Sequence, residues 1–126
     1  MSVFLVKVQR HFDAAHFLPK HKRECGRLHG HRWLVRAAWE GEEDRETGMV
    51  VDFADLKGVL DTVLKRYDHH CLNDFLPNPT AEQIAKKLFH SLEQVYTGNE
   101  RLMYVEVEES PGCVVLYERE KGVSDQ

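Results

Sequence analysis

The stretch Glu24–His31, ECGRLHGH, holds one cysteine and two histidines within eight residues. On a β-strand, residues two apart point to the same face, so His29 and His31 would present both imidazoles together. They share the parity of Trp33 and Val35, which places them at the end of an inward-looking row. His16 closes the first alternating apolar stretch and could meet them across a strand pair. Three imidazoles with an open fourth position describe a catalytic zinc; a fourth ligand from Cys25 would close the site and make it structural. Kept off the metal, a thiol beside a cation and a basic loop has a depressed pKa and can exchange protons near neutrality. The spacing alone is compatible with both. Cys71 and Cys113 read as buried, inert thiols.

Two further places carry possible chemistry. In YDHHCLN, Asp68 adjoins His69, and a carboxylate beside an imidazole sets its tautomer and charge as in a proton relay. A polar helix terminus gives the same residues with no catalytic meaning. In RLMYVEVEES, Met103, Val105 and Val107 share one parity and Glu109 continues it, while Glu106 and Glu108 take the other face. An inward carboxylate is costly unless it is paired. A planar ligand with adjacent N–H donors would pair with it bidentately; a strand ending before residue 109 would leave it solvated. Lys20, Lys22, Arg23 and Arg27 form a basic cluster that could receive a polyanion.

The elements that must position these groups follow from periodicity. Val3–Phe12 alternates Phe4, Val6 and Val8 and reads as a strand, followed by a loop over 17–28. His29–Glu40 reads as a second strand, and GEEDRETG as a polar connection. The period then changes: Leu56, Val59, Leu60, Val63, Leu64 and Tyr67 mark one helical face behind an Asp52 N-cap. A second helix opens in NPTAEQIA, where Thr80 and Gln83 have capping-box spacing and Ile84, Leu88, Leu92 and Val95 form the stripe. Two closing strands flank Ser110-Pro111-Gly112. The order is ββααββ, an α+β class in which two helices cover one face of a four-stranded antiparallel sheet. The edges and the other face would stay open, so pairing between subunits is the expected remedy.

Bulk properties narrow the function classes. The 126 residues, 42% hydrophobic and 30% charged, suit a single domain spanning 1–126 with a real core. A net charge of −4 disfavours nucleic acid and anionic membranes as partners. No apolar run has the length of a signal peptide or a spanning helix. Three cysteines, an odd number, fit reduced thiols, and the expected location is the cytoplasm.

The motifs FDAAH (12–16), CGRLHGH (25–31), GMVVDFADLK (48–57), DHHCLN (68–73), NPTAEQIA (78–85) and VEVEES (105–110) occur in one order across almost the whole chain. In this the chain resembles the 6-pyruvoyl-tetrahydropterin synthase family, and most closely its 6-carboxy-5,6,7,8-tetrahydropterin synthase branch, which places a cysteine four residues before His-Gly-His. The resemblance implies the ββααββ tunnelling fold (T-fold) and Zn2+ held by His16, His29 and His31. It implies a catalytic Cys25 off the metal and an Asp68–His69 relay. Glu109 would anchor a pterin ring, with Thr80 at its edge and Arg27 and Lys20 toward the triphosphate. The implied activity is a lyase converting 7,8-dihydroneopterin triphosphate to 6-carboxytetrahydropterin, acetaldehyde and triphosphate, on the route to queuosine. The rivals are a pyruvoyl-forming synthase without carbon–carbon cleavage and a non-catalytic module with structural zinc. The family assembly, a homohexamer built as a dimer of trimers, is expected. Glu24 is a departure worth noting, since another branch of the family has a glutamate where Cys25 stands.

Overall fold

The computed structural model describes residues 2–21 and 26–120. Strand β1 (Val3–His16) pairs antiparallel with β2 (His29–Glu42), β2 with β3 (Arg101–Ser110), and β3 with β4 (Cys113–Glu118), in the order β1-β2-β3-β4. Helices α1 (Phe53–Leu64) and α2 (Ala81–Val95) lie between β2 and β3 in sequence. The ββααββ order and the four-stranded antiparallel sheet are as expected.

Both helix starts are built by the predicted caps. Asp52 accepts from the Ala54 amide and Thr80 from the Gln83 amide, each satisfying a donor that the first turn leaves unpaired. The apolar stripes of α1 and α2 meet the even-numbered side of β1 and the odd-numbered side of β2. Phe12, Trp33, Val35, Trp39, Leu56, Leu60, Ile84, Leu88 and Leu92 are buried there. Tyr67 is buried with them but lies past the end of α1, so the helical stripe is one turn shorter than its periodicity suggests.

Strand β3 departs from simple alternation. Trp39 pairs with Leu102 and Ala38 with Tyr104, leaving Met103 as an extra residue in a bulge. The bulge switches parity: Leu102, Val105 and Val107 face the core, and Met103 does not continue that row. Residues after the bulge keep the expected phase, which matters for Glu109. Cys113 is exposed at the start of β4 and Cys71 is half-buried, which corrects their reading as buried thiols.

The outer edge of β1 is open along only part of its length. The Ala15 amide donates to the His70 carbonyl at 3.1 Å, and Ala15 forms a parallel bridge with Cys71. The His69 amide donates to the Asp13 carbonyl at 2.6 Å. The chain thus seals the end of its own edge strand. Val3, Phe4 and Leu5 at the other end of β1, and Val114 and Leu116 on β4, remain exposed.

Candidate active site

The last register pair of β1 and β2 is His16 with His29, and the next but one is Ala14 with His31. Strand alternation therefore puts all three imidazoles on the helix-facing side, at the end of the inward row that runs back through Trp33. The rings stand edge to face, with centroids 4.5 Å (16–29), 4.7 Å (29–31) and 5.3 Å (16–31) apart. Trp33 forms their floor, 4.9 Å from the His16 ring, and its indole N–H donates to the Ala14 carbonyl. His16 is fully buried, while His29 and His31 are half-buried at the mouth.

Hydrogen bonding fixes which nitrogen points inward. His16 Nδ1 lies 2.8 Å from the Pro79 carbonyl, and His29 Nδ1 lies 2.7 Å from the Arg27 carbonyl. Carbonyl oxygens only accept, so each Nδ1 carries a proton, and in the neutral ring the lone pair is then on Nε2. Those two Nε2 atoms are 3.0 Å apart. Glu109 Oε1 adds negative charge 3.2 Å from His16 Nε2 and 3.5 Å from His31 Nε2. The four ligand atoms fall within 4.8 Å of one another. Electron-rich atoms so close repel one another unless a cation sits among them. Burial pushes the pKa of His16 and His31 down from the ordinary histidine range, which favours the neutral rings a metal ligand needs. The donor set fits a divalent ion of zinc type.

Glu109 continues the inward row of β3 as expected, but its setting combines two readings: the carboxylate that could anchor a ring also touches the histidine cluster. Next to it a cavity of about 290 Å³ opens between Leu18, Thr80, Glu82, Cys113 and Val115. Thr80 reaches this cavity because it caps α2, and Glu109 because its strand ends there. Lys20 and Arg27 are exposed. Cys25, Lys22, Arg23 and Glu24 lie outside the described residues. The glycine with a clear steric reason in this loop is Gly26, where a Cβ would sit 2.6 Å from the His21 carbonyl oxygen; at Gly30 it would meet nothing within 4 Å.

Asp68 and His69 do not join this cluster. They form a second group with Asp13, on the outer edge of β1. Asp68 Oδ1 accepts from the Asp13 amide at 2.9 Å and Oδ2 meets His69 Nδ1 at 2.9 Å. The backbone amide of Asp13, aided by His69, holds the Asp68 carboxyl below the usual carboxylate range, so it is ionised and orients the ring. His69 has φ of +61°, a left-handed conformation uncommon for a residue with a Cβ. Strain of this kind clusters at functional sites, which makes His69 a residue to test. Asparagine adopts that conformation more readily. His69→Asn is therefore expected to leave Tm unchanged or higher while lowering turnover by about 10²–10⁴, the worth of a positioned acid–base group. Parallel calorimetry and steady-state assays check this, and full turnover in the variant would exclude His69 as an acid–base group.

The sequence offered no sign that the 68–71 segment runs beside β1, since that contact depends on a tertiary turn after α1. Nor did spacing show that Pro79 and Arg27 would orient the histidines, because both act through backbone carbonyls that any residue carries.

Comparison with known proteins bears on what this arrangement does. Residues 5–120 match the sequence profile of the family described as 6-pyruvoyl tetrahydropterin synthase. A Synechocystis protein named 6-carboxy-5,6,7,8-tetrahydropterin synthase is 44% identical over 90 residues, covering 66% of this chain and 70% of the relative. A Pyrococcus furiosus protein named dihydroneopterin monophosphate aldolase is 38% identical over 91 residues, covering 72% and 76%. Among solved structures, the 6-pyruvoyl tetrahydropterin synthase of Caenorhabditis elegans superposes with a TM-score of 0.86 at 28% identity, covering 95% of this chain and 98% of that one.

Proposed function

Because the chain belongs to the 6-pyruvoyl tetrahydropterin synthase family, we propose that it is a zinc-dependent lyase acting on 7,8-dihydroneopterin triphosphate. Its products would be 6-carboxy-5,6,7,8-tetrahydropterin, acetaldehyde and triphosphate, which suits a role in queuosine synthesis. The observation that carries this reading is the convergence of three imidazoles and one carboxylate beside a cavity of about 290 Å³. The 44% identity to a relative of that name supports the product assignment.

His16, His29 and His31 would hold the metal through Nε2, with Pro79 and Arg27 fixing the outer nitrogens of two of them. Zinc held there supplies Lewis acidity toward the hydroxyls of the substrate side chain. Glu109 and Thr80 orient the pterin ring so that the side-chain carbons lie over the histidines. Cys25 moves a proton at those carbons, and the ionised Asp68 keeps the His69 ring turned for the return transfer. Lys20 and Arg27 receive the triphosphate.

The relay pair belongs to a group separate from the histidine cluster, and the exposed ends of β1 and β4 offer pairing edges. Both features support a homo-oligomer, the hexamer of two trimers, in which one copy's relay serves a neighbouring copy's metal. The Pyrococcus relative favours a second reading, an aldolase acting on a dihydroneopterin monophosphate. No helix among the described residues is long and apolar enough to cross a membrane.

Cys25→Ala tests the division of labour. The variant is expected to keep zinc and bind a pterin, yet release acetaldehyde from dihydroneopterin triphosphate at a rate lower by about 10²-fold or more. Loss of zinc with the thiol would instead make Cys25 a fourth ligand and the metal structural. An unchanged rate would leave the proton transfer to another group.

A further inference from the structure

Phe17 follows His16, the buried member of the histidine cluster, at the point where β2 can no longer hold β1, since His16–His29 is the last register pair. Its backbone is held instead by a side chain 56 residues away. Asn73 Oδ1 accepts from the Phe17 amide at 2.9 Å, and Asn73 Nδ2 donates to the Phe17 carbonyl at 2.9 Å. A carboxamide has the donor and acceptor of a peptide group, so this reciprocal pair reproduces one rung of an antiparallel ladder. Asn73 sits in the short 3-10 turn Leu72–Asp74, immediately after the segment that carries Asp68 and His69.

We propose that Asn73 is a positioning residue for the metal centre, clamping the strand end that carries His16 to the segment that carries Asp68 and His69. The hydrogen bonds along this seam show why one side chain can matter so much. Asp13 and Ala15 are bonded to residues 68–70, and Phe17 to Asn73, so every second residue of the β1 end is fixed from one side. Asn73 makes the outermost rung, where fraying would begin. The chain then runs from Asn73 to Pro79, whose carbonyl sets the tautomer and tilt of His16. Loss of the rung loosens the backbone of His16 and the start of the connection that orients its ring. Partners bonded directly to a ligand typically change metal affinity by about 10–100-fold; Asn73 acts one step further out, through the backbone next to His16, so the lower end of that range is expected. Asp in this position would accept from the Phe17 amide but could not donate to its carbonyl. This role rests on the metal reading of the histidine cluster, and its test keeps the two apart.

Zinc affinity of the full chain is measured by competition with a chromophoric chelator, for wild type, Asn73→Ala, Asn73→Asp and Val63→Ala. The last removes a buried contact of α1 away from the histidines and controls for general destabilisation. Asn73→Ala is expected to bind zinc about 10-fold more weakly than wild type, with Asn73→Asp weakened less and Val63→Ala unchanged. Wild-type affinity in Asn73→Ala, or an equal loss in Val63→Ala, overturns the clamp while leaving the metal reading standing. If Asn73→Ala fails to fold, wild-type affinity in Asn73→Asp overturns it. No zinc binding by the wild type overturns both.

Discussion

Replacing His29 by alanine is expected to strip the protein of zinc and lower turnover by at least about 10³-fold, with the fold retained. Lewis-acid stabilisation by a bound metal amounts to several kcal/mol, and each 1.4 kcal/mol corresponds to a tenfold change in rate. His29 is the informative choice among the three histidines. His16 is fully buried against Trp33, so its removal would leave a hole in the core. His29 sits half-buried at the end of β2, and its loss also removes one of the two lone pairs opposed at 3.0 Å. The apo variant should therefore melt no lower than the apo wild type. Elemental analysis and thermal melts check both parts. Full zinc retention would remove His29 from the ligand set.

The second large effect concerns Glu109. Glu109→Gln is expected to raise the Kd for a pterin by about one to two orders of magnitude with zinc content unchanged. A carboxylate accepts from both the exocyclic amine and the adjacent ring N–H of a pterin. A carboxamide of the same size accepts one such bond and sets an N–H against the ring's own donors. Losing a charge-assisted pair typically costs about 1.5–3 kcal/mol. The structure makes this variant more diagnostic than parity alone would. Oε1 of Glu109 approaches two imidazoles, so the same residue could serve the metal instead. Calorimetry with a pterin ligand, beside elemental analysis, separates the roles. Unchanged pterin affinity would return Glu109 to a structural part, and a fall in zinc alone would make it a ligand.

How much of this was legible in the sequence depended on whether the signal was local. Alternation in β1 and β2 placed His29, His31 and Trp33 on one face, and the pairing of His16 with His29 follows once the two strands are antiparallel neighbours. The caps at Asp52 and Thr80 are short-range and were readable. The bulge at Met103 was not, because Met is as apolar as the row it interrupts and the parity recovers two residues later. The proximity of Glu109 to the imidazoles needed the register of β3 against β2 and could not come from parity. The seam between residues 68–73 and the end of β1 was invisible for the same reason. It is made by backbone groups and one asparagine whose partner lies 56 positions away.

Incubation of the zinc-loaded protein with 7,8-dihydroneopterin triphosphate, followed by mass spectrometry of the pterin formed, tests the central claim most directly. The mass of 6-carboxy-5,6,7,8-tetrahydropterin, appearing in step with acetaldehyde, is the predicted result. A 6-pyruvoyl pterin formed without acetaldehyde, or turnover of the monophosphate alone, would contradict it.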